Sequence, residues 1–152
     1  KYPEIIKRIY DEGHLLGIHN FVHRANWGMS PWKVRRDLEK SAFIIEKITG
    51  ERPIYYRPPW GLLNLFDLFL LKKYKIILWS VMAEDWRSNG GSEKVKNRLL
   101  HQIKKGDVVL LHDCGTTWGA DEDAPMNTIM ALKDVFNKLS KMGISCVRID
   151  EM

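Results

Sequence analysis

Four short motifs carry residues that together could perform metal-assisted hydrolysis. His19 and His23 are four positions apart, which on a helical turn places both imidazoles on one face, where a single metal ion could bind both. Arg57, Asp85 and His112 follow along the chain, and an arginine, a carboxylate and a further imidazole are typical of such chemistry. Catalytic zinc sites usually keep three protein ligands and one open position, and these motifs offer no obvious third ligand.

The segment Arg57-Pro58-Pro59-Trp60-Gly61 is rigid because of its two prolines. Each proline fixes its own φ and biases the preceding residue toward an extended conformation, so Arg57 is aimed rather than mobile. An aimed arginine suits pairing with a carboxylate or an anionic group. The alternative is a structural turn that carries a surface arginine.

Asp85 and His112 are the candidates for proton transfer. Asp85 precedes Trp86, and His112 ends the apolar run Val-Val-Leu-Leu-His. An imidazole there is a good proton donor if an aspartate keeps it protonated near neutral pH. The alternative for His112 is a buried histidine bonded to backbone, just as the His19 and His23 pair could arise by chance.

Other reactive residues receive structural interpretations. We expect His14, at the start of a strand, and His101, on a helix, to be structural. Cys114 and Cys146 match no metal or redox spacing and leave the redox compartment open. The acidic run 121–123 is expected to be a solvated loop.

The bulk composition predicts one globular domain over residues 1–152, since 45% of the residues are hydrophobic. No apolar run is long enough to span a bilayer, and no signal peptide is visible. The start Lys1-Tyr2-Pro3 suggests a processed or partial chain. A net charge of +5 admits an anionic partner, but the basic residues are scattered, which does not favour nucleic acid.

Hydrophobic periodicity predicts helices alternating with apolar strands. The clearest helix has Ser30 as N-cap, Pro31 at its first position and Gly50 just past its end. Helices are predicted over 3–12, 31–48, 65–73, 92–104 and 127–141. Strands are predicted over 14–18, 54–57, 76–82, 108–111 and 144–149.

This alternation indicates an α/β fold with a parallel sheet covered by helices, either open or closed into a barrel. In such folds the chemistry gathers at the carboxyl ends of the strands. Every motif described above lies at such an end, which supports a single site.

Taken in order, the motifs resemble those of the polysaccharide deacetylase family, also called the NodB-homology domain or carbohydrate esterase family 4. The resemblance covers nearly the whole chain and implies a distorted, incomplete (β/α) barrel. It implies that His19 and His23 bind a divalent metal, most often zinc, with cobalt or nickel possible. It also implies catalytic roles for Arg57, Asp85 and His112.

Within this resemblance, Arg57 orients the catalytic base, Asp85 tunes the catalytic histidine and His112 is the general acid. The resemblance further implies a substrate-binding surface formed by Pro59, Trp60, Trp86 and Leu110. Trp86 and Leu110 would line the acetyl pocket, and Trp60, Trp86 and Trp118 suit stacking on sugar rings, although core packing is the default role of a tryptophan.

Two departures from the family pattern stand out. The family's Thr-Phe-Asp-Asp-Gly motif, which supplies the base and third metal ligand, is absent and would fall before Lys1, so N-terminal strands are expected to be missing. Asp11 precedes a strand of about five residues, or roughly 17 Å, and would lie at the wrong end. Asp150 follows the last predicted strand and is only a weak candidate to replace the missing base and metal ligand. Met82 replaces a frequent aspartate, which we expect to alter only local hydrogen bonding.

The resemblance implies hydrolysis of N-acetyl groups in an N-acetylglucosamine polymer such as peptidoglycan or chitin, at the cell envelope or outside the cell. A chain without the first motif is expected to bind metal weakly, turn over little, and self-associate through an unfilled sheet edge. The alternatives are a non-catalytic carbohydrate-binding relative and an O-acetyl esterase of the acetylxylan type.

Overall fold

The computed structural model describes residues 2–152, with the side chains at positions 66 and 71 excepted. The chain divides into two compact units, with unit 1 ending at Leu78 and unit 2 beginning at Trp79. Each unit contains helices and its own two-stranded parallel sheet. The α/β class predicted from the sequence is therefore confirmed, while the strands of the described residues do not close a barrel.

Unit 1 is built around its longest helix. Helix α1 spans Pro3–Asp11 and α2 spans Pro31–Thr49. Ser30 is extended, Pro31 occupies the first turn, and Gly50 ends α2 with φ of 81°, a value that glycine adopts without a side-chain clash. The inner face of α2 repeats at i, i+4 and i+8 and buries Val34, Leu38 and Ala42.

The sheet of unit 1 pairs β1, Tyr55–Tyr56, with β2, Lys75–Ile76. Ile18 forms an isolated parallel bridge to Tyr56 on the other side of β1. The predicted strand over 14–18 is thus reduced to one bridge residue, because only Ile18 is buried against the core. The core of this unit comprises Ile18, Val34, Leu38, Ala42, Tyr56 and Tyr74.

Unit 2 packs two helices on a second parallel pair. Strand β3, Val81–Met82, pairs with β4, Val109–Leu110. Helix α3 spans Gly91–Gln102 and α4 spans Ala124–Lys141, and the two pack closely against each other. The core of this unit comprises Val81, Ala83, Val95, Leu99, Ala131, Val135 and Leu139.

The predicted continuous strand over 76–82 is wrong. Its first part pairs with β1, where the Ile77 N–H donates to the Tyr56 carbonyl. Its last part pairs with the β4 segment, where the Ser80 N–H donates to the Val108 carbonyl. The run is continuous in its apolar composition, but its two ends have different pairing partners. A single predicted sheet is therefore two short sheets, one in each unit.

Three further boundaries differ from prediction. The segment 144–149 forms no strand and is mostly exposed, although Ile144 packs on the core of unit 2. The predicted helix over 65–73 is a 3-10 helix, Leu65–Lys72, and Asn64 and Asp67 form a capping box at its start. Helix α4 begins three residues before its predicted start, with a proline in its first turn.

Two buried tyrosines of unit 1 predict a loss of stability at alkaline pH. Burial raises the pKa of Tyr56 and of Tyr74 from 10.0 to about 12, and a hydrogen bond to Glu39 adds to the rise at Tyr74. Their contribution is fully present below the unfolded pKa and is lost as pH rises from 10 toward 12. We expect the free energy of unfolding to fall by about 1–2 kcal/mol per tyrosine over this interval.

Urea denaturation between about pH 9 and about pH 12 measures this loss. The Tyr56→Phe variant has one fewer group to ionise, so its free energy of unfolding should decline less steeply. Equal slopes for the variant and the unchanged chain would contradict the assignment to Tyr56.

No helix among the described residues is both long enough and apolar enough to cross a membrane.

Candidate functional site

Site residues predicted from the sequence occur in both units, and each group clusters within its own unit. Unit 1 contains His19, His23, Arg57, Pro59 and Trp60. Unit 2 contains Asp85, Trp86, Leu110 and His112.

The two histidines of unit 1 lie close together, but not on a helical turn. Residues 19–25 are irregular, and Asn20 adopts a left-handed conformation with φ of 59°. The expectation of a helical turn is therefore wrong. The loop nevertheless brings the imidazoles of His19 and His23 to a centroid separation of 5.0 Å, edge to face.

Hydrogen bonding fixes the tautomer of His19. Its Nδ1 lies 2.6 Å from the carbonyl oxygen of Arg57. A carbonyl only accepts, so Nδ1 carries the proton in this hydrogen bond. The Arg57 N–H in turn donates to the Ile18 carbonyl, which ties the start of the histidine loop to the end of β1. Metal-binding histidines typically have such a partner on the other ring nitrogen.

The histidine pair fits two of the ligands of a divalent cation. Zinc–nitrogen bonds of about 2.1 Å in a tetrahedral geometry place two ligating atoms about 3.4 Å apart, which the ring separation of His19 and His23 permits. Among the described residues, no group of three or more His, Cys, Asp or Glu side chains could hold a metal ion. The described residues thus supply a partial site.

The proline segment positions Trp60 against the histidines. Pro58 and Pro59 are buried, and Trp60 follows with φ of 54°, a strained value for a bulky residue. Its ring is half-exposed and contacts His23 edge to face at 4.4 Å. Two hydrogen bonds of the Arg57 backbone belong to this cluster: its carbonyl accepts from His19, and its N–H donates to the Ile18 carbonyl. The role of Arg57 toward a catalytic base stays a prediction.

In unit 2, Asp85 holds His112 through two hydrogen bonds. The carboxylate of Asp85 is fully buried and accepts from the His112 backbone N–H at 2.6 Å and from its ring Nδ1 at 3.0 Å. Thr128, on α4, donates a third hydrogen bond to the same carboxylate. The proton on Nδ1 leaves Nε2 as the other nitrogen of a partly exposed ring. This geometry is that of an acid–base histidine oriented by an aspartate.

Aromatic and apolar residues flank His112. The Trp86 ring contacts the imidazole edge to face, with centroids 5.3 Å apart, and Leu110 is buried at the end of β4. Glu84 precedes Asp85 with φ of 53° and forms an ion pair with Arg98. Among the described residues, the non-glycine positions with left-handed φ are Asn20, Trp60 and Glu84, each within two residues of a predicted site residue.

Several residues that were considered and set aside have structural partners. Asp11 pairs with Lys7 on α1, and Asp150 binds Arg148 at 3.0 Å. Asp121 is not merely solvated, as the sequence suggested, because it accepts the Ser88 N–H at 2.7 Å. His101 lies on α3, as expected.

Sequence reasoning missed a buried polar network beneath the histidine loop. Asn26 and Asp67 are 0% and 2% exposed, and the amide of Asn26 donates to the Asp67 carboxylate and to the Tyr56 hydroxyl. Asn20 joins the same network. The spacing Asn64-x-x-Asp67 was an available signal, since it is a variant of the capping box.

The comparisons with known proteins agree with these motifs. The polysaccharide deacetylase family profile matches residues 1–76. A peptidoglycan-N-acetylglucosamine deacetylase of Bacillus cereus is 31% identical over 99% of this chain and 68% of its own length. The peptidoglycan-N-acetylmuramic acid deacetylase PdaC of Bacillus subtilis is 30% identical over 99% of this chain, but only 30% of its own length.

A solved structure supports the same assignment. A T48 deacetylase solved with substrate superposes with a TM-score of 0.83 at 27% identity, covering 98% of this chain and 69% of that one. The chain therefore belongs to the polysaccharide deacetylase family. It spans about two thirds of the Bacillus cereus relative and less than a third of PdaC.

Proposed function

We propose that this chain is part of a metal-dependent deacetylase that removes N-acetyl groups from an N-acetylglucosamine-containing polymer of the peptidoglycan type. The observation that carries the proposal is the pairing of His112 with the buried carboxylate of Asp85. The activity named for the family's Bacillus relatives supports the substrate class. The corresponding location is the cell envelope or outside the cell.

In this proposal His19 and His23 hold the cation, with zinc the first choice and cobalt or nickel as substitutes. Imidazole nitrogens suit all three ions. A bound divalent cation would polarise the amide carbonyl and lower the pKa of a water molecule. The hydrogen bond from His19 Nδ1 to the Arg57 carbonyl holds the imidazole ring in one orientation, which supports this role.

His112 completes the reaction as the general acid. Water adds to the acetyl carbon and gives one proton to the base that the family's Asp-Asp motif would supply. The bond from that carbon to nitrogen breaks, and Nε2 of His112 gives its proton to the departing sugar amine. The products are acetate and a free amino sugar. Asp85 stabilises the imidazolium before the transfer and holds the ring in place throughout.

The remaining site residues are proposed to bind the sugar and its acetyl group. Trp86 and Leu110 line the acetyl pocket beside His112, and the exposed face of Trp60 offers an apolar wall. Pro59, expected from the resemblance to bind substrate, is fully buried and offers the sugar no accessible surface. Arg57 is proposed to orient the catalytic base. The finer fold class that we propose, an incomplete (β/α) barrel, rests on the family resemblance.

Acetate release from an N-acetylglucosamine oligomer with added zinc or cobalt tests the proposal. The assay compares this chain with a version extended at its N-terminus through the family's Asp-Asp motif. We expect release by the extended protein and little by this chain, because the family's base and third ligand belong to that motif. Oligomer binding without release in either protein would instead indicate a non-catalytic carbohydrate-binding relative.

A further inference from the structure

Beneath the histidine loop of unit 1, three side chains form a closed ring of hydrogen bonds. The Asn20 amide donates to Asn26 Oδ1 at 3.0 Å, the Asn26 amide donates to the Tyr56 hydroxyl at 2.9 Å, and that hydroxyl donates to Asn20 Oδ1 at 2.9 Å. Every member both gives and accepts, so the bonds polarise one another and each fixes the orientation of the next.

The ring of hydrogen bonds holds the one residue of the histidine loop that has a left-handed backbone. Asn20 lies between the two histidines in the left-handed region, with φ of 59°. Its amide also donates to the Arg24 carbonyl at 3.0 Å, so its side chain spans the loop from the residue after His19 to the residue after His23. Holding Asn20 therefore sets the path of the chain between the two imidazoles.

Tyr56 anchors the ring to the sheet. It is a β1 residue, completely buried, and it precedes Arg57, whose carbonyl accepts the His19 Nδ1 proton. The Tyr56 hydroxyl thus holds Asn20 and Asn26 at the end of β1. The same strand end holds the His19 ring through the Arg57 carbonyl. A phenylalanine here would fill the core and leave Asn20 and Asn26 each without one hydrogen-bond partner.

Asp67 and Asn64 extend the hydrogen-bond network toward the proline segment, residues 57–61, which carries Trp60. The Asp67 carboxylate accepts from the Asn26 amide at 3.0 Å and from the Asn64 N–H at 2.9 Å. The Asn64 amide donates to the Asn26 carbonyl at 3.2 Å. The histidine loop and Asn64, three residues after the proline segment, are therefore hydrogen-bonded to the same buried network. The contact of His23 with Trp60 joins the loop to the proline segment itself.

We infer that the Asn20–Asn26–Tyr56 ring is a positioning device that sets the spacing of His19 and His23 for a shared cation. The inference rests on the proposed metal-binding role of the histidine pair. None of the three residues would itself contact the cation, and their effect passes through the loop conformation.

The Tyr56→Phe variant tests this inference, with Tyr74→Phe as its matched control. Tyr74 is also buried in the same core, and its hydroxyl donates to Glu39, outside the ring. Both variants lose one buried hydroxyl. We expect Tyr56→Phe to weaken zinc binding about 10-fold or more, as loss of outer groups around a metal site does. Tyr74→Phe should leave zinc affinity unchanged.

Two further measurements separate positioning from folding. The ring-nitrogen resonances of His19 and His23 in the metal-free protein should shift in Tyr56→Phe but not in Tyr74→Phe. In a second variant, Asn20→Gly, the backbone can still adopt positive φ while the ring is lost, so we expect a folded protein with the same loss of zinc affinity.

The outcomes distinguish this inference from the function on which it rests. His19→Ala without effect on zinc binding would remove the proposed metal site itself. Zinc binding that depends on His19 but responds equally to Tyr56→Phe and Tyr74→Phe would overturn the positioning role alone. Unmoved histidine resonances in both Tyr56→Phe and Asn20→Gly would overturn it as well.

Discussion

Replacing Asp85 with asparagine is expected to lower acetate release by the extended protein about 10³-fold or more. The asparagine oxygen can still accept the His112 backbone N–H, but its amide would then face Nδ1 of the ring. An amide donor at that position forces Nδ1 to accept a hydrogen bond, so the single ring proton of neutral His112 would lie on Nε2. His112 would lose both its orienting partner and the charge that stabilises the imidazolium, so kcat should fall more than KM rises.

Asp107→Asn is the matched control. Asp107 is also in unit 2, and its carboxylate also accepts a backbone N–H, that of Lys104 at 2.6 Å. This variant should retain acetate release. In the present chain, nitrogen NMR of His112 should report the tautomer change in Asp85→Asn alone. Full activity in Asp85→Asn, or an unchanged His112 tautomer, would contradict the assignment of His112 as the general acid held by Asp85.

Loss of either loop histidine is the second large effect expected. His19→Ala and His23→Ala each remove one of two proposed ligands, and we expect zinc affinity to fall by more than about 100-fold. Acetate release by the extended protein should fall to background. Isothermal titration with zinc measures the affinity, and circular dichroism checks that the fold persists.

The chain supplies its own controls for these substitutions. His14 and His101 are exposed and belong to neither candidate cluster. His14→Ala and His101→Ala remove the same functional group, so they should leave zinc affinity and acetate release unchanged. A comparable loss of zinc binding in all four variants would show that binding is distributed over surface histidines and would refute a specific site.

Helix α2 shows what the sequence could predict well. Its start and end are set by local chemistry, with Pro31 preset for a first turn and Gly50 free to adopt positive φ, so both ends were placed to within one residue. The pairing of Asp85 with His112 is what the family resemblance implies, and the hydrogen bonds between them agree with it. The family resemblance rested on the order of such motifs and is confirmed by the comparisons.

The strand predictions failed where pairing, rather than composition, decides the structure. Residues 76–82 are apolar throughout, and no local signal marks where pairing with β1 ends and pairing with β4 begins. Segment 144–149 is apolar enough for a strand but has no partner strand in its unit. Hydrogen bonding between distant segments is invisible to periodicity.

The histidine loop illustrates a different limit. A spacing of four favours a helical turn, but the conformation of Asn20 is set by Tyr56 and Asn26, which lie 36 and 6 residues away in sequence. The two imidazoles lie close together, but the helical turn that was predicted to place them on one face is absent. Buried networks of this kind are assembled by tertiary contacts and leave little trace in composition.

The left-handed backbones of Asn20, Trp60 and Glu84 bear on how this protein would respond to selection. A left-handed conformation costs roughly 1–2 kcal/mol at a non-glycine residue. A screen for heat resistance alone would therefore favour glycine at Trp60 and Glu84, where it relieves that cost. At Trp60 the same change deletes the ring that contacts His23. Selection for heat tolerance would then oppose the role proposed for Trp60, because the glycine that relieves the backbone also removes the ring.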